Sequence, residues 1–263
     1  MTIIYFLIAL IATTVGSMVG LGGGVIIKPL LDFLGQYNVS TISVLSSATV
    51  FAMSVVSIIK QIRYKFKIDV KRTVLIGTGS VIGGVLGDSI MHIILNATNE
   101  EYVALFQNII LALLIIFVYV YMNNMDKYKS YRIKNLFYCM IIGLFLGFLG
   151  SFLSVGGGPI NVCILIIFFS MDTKEAAVNS IITILFSQGA KLIKIITTIG
   201  LYSYNLNILP YMIAGGVIGG ICGTKLNKTL SSNMILRVFN VLLLFLILLN
   251  IYNIVKIEKI LIS

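Results

Sequence analysis

The sequence predicts an all-α polytopic membrane protein made of two homologous four-block repeats, and three observations carry that prediction. Of its 263 residues 59% are hydrophobic and only 11% charged, with a mean hydropathy of +1.06. Soluble globular domains run to roughly 45–50% apolar and about 25% charged, so the surplus of Ile, Leu and Val faces lipid. The apolar residues collect in eight blocks separated by short polar connections. A glycine-rich segment near the start of the chain returns past its middle, offset by 134 residues.

Windows of about 20 apolar residues mark bilayer-crossing helices, because only a helix satisfies its own backbone hydrogen bonds in hydrocarbon. The first block, residues 2–34, is too long for one simple span and is interrupted by glycines. It resembles the core of a signal peptide, but no basic residue precedes it and no polar domain follows, so it is read as retained. Blocks two to four cover residues 41–59, 73–95 and 102–122. The most polar linker in the chain, NNMDKYKSYRIKN at 123–135, separates them from the fifth block, 136–171, which is again too long and glycine-interrupted. Blocks six to eight cover 176–199, 208–226 and 235–254. Cys139, Cys163 and Cys222 lack metal-ligand spacing and sit inside apolar stretches, as small packing residues do.

The recurrence organises the whole chain. GSMVGLGGGVIIKP at 16–29 lies over GSFLSVGGGPINV at 150–162, and the same offset places Ser46 on Ser180, Thr49 on Thr183 and Lys60 on Lys194. Two residues of drift later, VIGGVLG at 81–87 lies over VIGGICG at 217–223. The expected division is an N-terminal transmembrane repeat at 1–122, a basic cytoplasmic linker at 123–135 and a C-terminal transmembrane repeat at 136–263. Repeats of this length fit secondary transporters rather than solenoids.

The net charge of +10 belongs mostly to short runs between apolar blocks, which is a topology signal and not a nucleic-acid footprint. Four connections hold 14 of the 19 Lys and Arg: six at 60–72, four at 127–134, one at Lys174 and three in Lys225, Lys228 and Arg237. If all are cytoplasmic, blocks one and five enter and leave on the same side as glycine-broken hairpins, and the repeats are inverted with both termini outside. If every block crosses once, the repeats are parallel and the count becomes 12 against four. The connection after block three carries Glu100 and Glu101, whereas its counterpart after block seven carries Lys225 and Lys228, which favours opposite sides and the inverted arrangement.

Gly22, Gly23 and Gly24 in one half, and Ser154, Gly156, Gly157 and Gly158 in the other, are the sharpest candidates for a substrate site. Three successive glycines hold a helix poorly, each costing about 1 kcal/mol relative to Ala, and Pro29 and Pro159 remove nearby backbone donors. Unwound backbone at membrane depth is tolerated where it lines a cavity, and the helix resuming after it points amides and a positive dipole end there, which suits an anion. The spacing in VIGGVLG and VIGGICG is read instead as close helix packing.

Ser180, Thr183, Ser187, Lys191 and Lys194 form a polar stripe on block six, three or four residues apart and so on one helix face. A lysine at a helix centre costs about 2.5–3.5 kcal/mol, so Lys191 needs a partner; with no acid on the block, a mobile anion would serve. Lys194, and Lys28 beside the first glycine run, share this reading with simple snorkelling to the interface. Ser43, Ser47, Ser54, Ser57 and Gln61 repeat the stripe more weakly on block two. Asp88 and His92, four residues apart, form either a proton relay or an ordinary contact, and the contact is favoured. The other eight acids fall near block ends or in connections. No metal cluster, catalytic triad or nucleotide loop assembles, because GLGGGVIIKP lacks the GK[ST] ending, so neither a cofactor nor an enzyme is expected. A scaffold subunit, whose glycines serve packing alone, is the alternative to a transporter, and a membrane-embedded enzyme is a less favoured one.

The motif GxxVGxGGGxxxxP (Gly16, Val19, Gly20, Gly22, Gly23, Gly24, Pro29), its second copy SVGGGP at 154–159, and the later GGxxG pair resemble the TauE/SafE family of sulfite exporters, sulfonate uptake permeases and related anion permeases. The resemblance spans essentially the whole chain. It implies a multi-pass cell-membrane protein moving a small sulfur-containing or carboxylate-bearing anion, with lipid and that anion as its partners and room for a homo-oligomer. The second copy departs from the first in carrying Ser154 at the place of Gly20. The resemblance names no coupling ion; proton coupling would rest on Asp88, His92 or the substrate's own titration.

Overall fold

The computed structural model describes residues 2–64, 69–127, 130–133, 135–198 and 200–262, which form helices and no strand. The helices are α1 (Thr2–Val19), α2 (Gly24–Leu34), α3 (Val39–Arg63), α4 (Val70–Ala97), α5 (Glu100–Asn123), α6 (Leu136–Phe152), α7 (Gly158–Phe169), α8 (Thr173–Thr198), α9 (Leu209–Thr229) and α10 (Ser232–Ile262). Seven of them are long and apolar enough to cross a membrane; α2, α6 and α7 are shorter, at 11, 17 and 12 residues. The chain is a multi-pass membrane protein. Lys65, Lys67, Lys129 and Lys134 of the basic connections, Ile199 of the sixth block and the side chain of Asp126 lie outside the described residues.

Polar residues set the helix starts. Asn38, Asp69 and Asn135 accept hydrogen bonds from Thr41, Arg72 and Phe137 backbone N–H groups at the N-termini of α3, α4 and α6, and Asp172 Oδ1 accepts from Glu175 N at the start of α8. Glu100 and Glu101 occupy the first turn of α5, where the helix dipole favours carboxylates. Gly35, with φ of +64°, closes α2 by returning its N–H to Leu31 O.

The halves of the chain interlock. α1 packs along α9, α6 along α4, α3 against α9 and α8 against α4, with α3 on α8 and α5 on α10. Glycines make these approaches possible. Gly215, Gly219 and Gly223 of α9 meet Phe6 and Ala9, then Leu10 and Thr13, then Thr14 and Ser17, so α1 and α9 run in the same direction. Gly79, Gly83 and Gly87 of α4 meet Met140, Leu144 and Phe148 carbonyls in turn, so α4 and α6 are parallel too. Gly216 against Thr49 and Gly220 against Met53 align α3 with α9; Ser80 against Thr183 and Gly84 against Ser187 align α8 with α4. Ser43 touches Lys191, and Val50 and Ile184 both pack on Gly22, so α3 and α8 cross in opposite senses.

The basic connections gather at one end. Lys228 Nζ lies 4.1 Å from the Tyr64 ring, Lys174 Nζ donates to Lys228 O, Arg72 faces the Phe169 ring, and Ser170 Oγ donates to Ser130 Oγ at 2.7 Å. At the far end Tyr5 donates to Gln36 and stacks edge-on with Tyr37, while Lys256 donates to Phe33 O.

Candidate functional site

The two glycine segments form closely similar turns. Gly16 O accepts from Leu21 N at 2.8 Å and Gly22 N at 3.3 Å; Gly150 O accepts from Val155 N at 3.1 Å and Gly156 N at 3.0 Å. Gly20, Gly22 and Gly23 have φ of +85°, +76° and +80°, and the matched Ser154, Gly156 and Gly157 have +59°, +74° and +107°. This left-handed backbone explains the glycines, and Ser154 adopts it despite its Cβ. A second copy that lacks a glycine therefore keeps the same turn.

The turns abut. A Cβ on Gly24 would stand 2.4 Å from Val155 O, and one on Gly158 would stand 3.1 Å from Val25. The first residues of α2 and α7 thus face each other, with Val50 beside both Gly22 and Gly156. Each turn is held by a helix from the opposite half: Ser180 Oγ donates to Gly20 O at 2.6 Å, and Ser154 Oγ donates to Ser43 Oγ at 2.9 Å. Several buried polar atoms here have no hydrogen-bond partner, among them Ser47 Oγ, Ser151 Oγ and Gln188 Oε1, and Gln188 packs on Gly156. Such atoms call for an explanation. The cavity between α5 and the second turn, lined in part by Leu153, Gly157 and Ile160, holds about 10 Å³, about the minimum for one water. Where the turns meet, Gly24 and Val155 leave no room for even a Cβ between them.

The polar stripe of α8 does not act as one surface. Ser180 reaches across to the first turn, whereas Thr183 Oγ1 and Ser187 Oγ donate back to Asn179 O and Ile184 O of their own helix. Lys191, fully buried, donates to Ser43 Oγ and to Ser151 O at 3.4 Å, which ties it to the second turn.

Lys191, expected to need a partner from outside its own block, has one in Asp88 of α4. Asp88 is fully buried; its Oδ1 lies 3.5 Å from Lys191 Nζ and its Oδ2 accepts from Lys194 Nζ at 2.9 Å. His92 Nε2 is 3.8 Å from Oδ1, a contact within a larger charged cluster. Ser89 Oγ accepts from Lys194 Nζ at 2.7 Å. Lys194, 22% exposed, is thus ion-paired with Asp88. Lys28, 1% exposed, pairs with Asp32 at 2.7 Å, and Asn108 donates to the same carboxylate, so this acid also works inside the bundle. Sequence reasoning singled out Asp88 beside His92 and Ser43 on the block-two stripe but paired neither with Lys191, and it missed Ser151. Asp88 carried a usable signal, as an acid inside an apolar block one residue after a glycine, and Ser43 carried one in its stripe; Ser151 carried none.

The described residues contain no group of three or more His, Cys, Asp or Glu placed to hold a metal. Residues 5–250 match the family described as sulfite exporter TauE/SafE. The chain is also 24% identical to the probable membrane transporter protein YunE of Bacillus subtilis (strain 168), over 92% of this chain and 94% of that one. No solved structure matches the chain at a significant level.

Proposed function

The chain belongs to the sulfite exporter TauE/SafE family, a family of membrane transporters and not of enzymes, and on that premise we propose that it carries a small anion, a sulfite, an organosulfonate or a related sulfur-containing or carboxylate anion. The observation that carries this reading is the meeting of α2 and α7 at their N-termini, with Gly24 against Val155 and Gly158 against Val25. Helix N-termini present free amides and a positive dipole end, and a half-helix of 11 or 12 residues reaches about 16–18 Å, roughly half a hydrocarbon core.

In this reading the amides of Gly23, Gly24, Gly157 and Gly158 receive the anion, Gly22 and Gly156 shape the site through their bonds to Gly16 O and Gly150 O, Ser47 and Ser154 add hydroxyl donors, and Lys191 supplies full positive charge. Ser180, Thr183 and Ser187 line the approach on α8; the last two hydroxyls turn away from their own helix carbonyls to reach a ligand. The closed turns describe an occluded state that opens by movement of one half against the other.

The duplication at 1–122 and 136–263 supports this scheme. Backbone bonds, φ values and helix packings correspond across the two halves, while α3 and α8 run oppositely, as expected of inverted repeats hinged at glycine-broken segments. The end bearing Lys174, Lys228 and Arg72 is assigned to the cytoplasm, with the linker 123–135, and both termini lie outside.

Thermal unfolding of the purified protein in detergent, read against sulfite, sulfate, thiosulfate, sulfonates and small carboxylates, tests the proposal. A ligand that binds only the folded state raises the melting temperature. We expect one chemical class to do so. A folded sample that responds to none, and moves none in proteoliposomes, would overturn the reading.

A further inference from the structure

A carrier that binds an anion on buried lysines must neutralise those lysines once the anion has gone, because an unpaired buried ammonium is strongly disfavoured. Asp88 does this here. Its two oxygens are held differently: Oδ2 accepts from Lys194 Nζ at 2.9 Å, whereas Oδ1 accepts no hydrogen bond and only faces Lys191 Nζ at 3.5 Å and His92 Nε2 at 3.8 Å. Two ammonium groups share one carboxylate, so the cluster has a place for a further negative charge.

This cluster has no copy in the other half, whose own buried pair, Lys28 with Asp32, lies at other positions. The positions matching Lys191 and Asp88 are Ser57, by the offset of 134, and Thr224, by the register that superposes the two VIGG segments. Ser57 Oγ donates to Gly220 O, Thr224 Oγ1 is buried without a partner, and Lys60, which matches Lys194, is only partly buried and donates to Ile221 O, so the corresponding site holds no buried ion pair. Buried pairs add little net stability, so holding helices together is a weak reason for this one.

We propose that Asp88 is a built-in counter-ion that competes with the transported anion for Lys191 and Lys194, and that it takes up a proton on Oδ1 when the anion binds, so that one proton travels with each anion. The proposal rests on the anion-carrier reading above. The step balances simply: the Asp88 carboxylate gains a proton and becomes a neutral acid, the anion takes over the lysines, and on release the proton leaves Oδ1 toward the same side as the anion. The charged or titratable groups around Asp88 are Lys191 and Lys194 from α8, His92 from its own helix and Tyr204 from the segment after α8. The facing part of α6 contributes the Ser151 carbonyl, which accepts from Lys191. His92, 22% exposed, is placed to pass the proton between Oδ1 and the far end.

Proteoliposomes loaded with a pH-sensitive dye test this with sulfate and methanesulfonate, neither of which titrates near neutral pH and so neither of which carries the proton itself. We expect wild-type uptake to acidify the lumen and to rise, by up to tenfold per pH unit, as external pH falls. Asp88→Asn should lose both the acidification and the pH dependence, and Asp88→Glu should keep them. Wild-type uptake without acidification and with a flat pH profile would overturn the proposal and leave the anion carrier standing; so would acidification that persists in Asp88→Asn. The wild-type measurement decides the matter even if Asp88→Asn fails to fold. A wild type that neither moves these or other anions nor is stabilised by them would remove both readings.

Discussion

Lys191 Nζ lies 3.5 Å from Asp88 Oδ1, and neither side chain is exposed to solvent. Removing one partner of a buried pair costs about 3–5 kcal/mol where the other is left alone. Here Asp88 keeps Lys194 at 2.9 Å, so the penalty is reduced. We expect Lys191→Ala to fold and insert with a lowered melting temperature, and to bind its anion at least tenfold more weakly, since the charge nearest the second glycine turn is gone. Thermal shift against the stabilising anion checks this; equal shifts in mutant and wild type would remove Lys191 from the site.

Gly24 tests the junction of the two turns. Its φ is not in the left-handed region, so Gly24→Ala isolates lack of space from backbone strain. The new Cβ would stand 2.4 Å from Val155 O, a backbone atom that yields only if one turn moves. Overpacking of this kind costs typically about 1–3 kcal/mol. We expect a melting temperature lower by several degrees and a larger loss of flux. Gly189→Ala is the comparison, because there the Cβ meets only the Phe51 ring at 3.0 Å and a side chain can shift. Equal effects at the two positions would show that the turns do not need their present contact.

The helix seams are tighter still. A Cβ on Gly83 would stand 1.9 Å from Leu144 O, and one on Gly219 would stand 2.1 Å from Thr13 Oγ1. Such approaches let membrane helices gain dispersion contacts that lipid cannot offer. Gly83→Leu and Gly219→Leu should both fail to give a monodisperse peak in detergent size-exclusion chromatography. Gly200→Asn should give one, because nothing lies within 4 Å of that position and Asn tolerates its φ of +79°. Recovery of well-behaved Gly83→Leu would mean that α4 and α6 do not pack as described.

The apolar blocks were legible because hydropathy over some 20 residues is a property of the chain alone. Their ends were less so. α3 and α4 begin at polar caps three and four residues before the apolar run, and α10 continues to Ile262 through Lys256, Glu258 and Lys259, whose charges hid the helix from a hydropathy reading. The glycine runs announced a local conformation, since left-handed φ is written in residue type. The pairing of Asp88 with Lys191 was not written locally. It depends on α4 lying against α8, where glycine at position 84 lets the Ser187 backbone approach. The stripe of Ser180, Thr183 and Ser187 was visible as spacing, but which hydroxyl crosses to Gly20 and which bonds its own helix depends on rotamers that spacing does not carry.

The placement of the two ends of the bundle is open to direct labelling. Tyr131 and Tyr202 are both exposed, the first beside Ile167 and Phe168 at the basic end and the second in the segment after α8 at the other. Lys174, Lys228, Arg72 and Arg132 cluster at the first end, whereas the second carries Lys256 and Lys259 with Glu100, Glu101 and Glu258. Retention of basic connections in the cytoplasm assigns the first end inward. Cys139 and Cys163 are buried, so replacing Cys222 with serine leaves a quiet background. In that background Tyr202→Cys should react with a membrane-impermeant maleimide on intact cells, and Tyr131→Cys only after permeabilisation. The reverse pattern would turn the protein over in the membrane and place Asp88 and His92 nearer the cytoplasm. Labelling of both from one side would contradict the opposed ends themselves, and with them the antiparallel crossing of α3 and α8 on which the inverted arrangement depends.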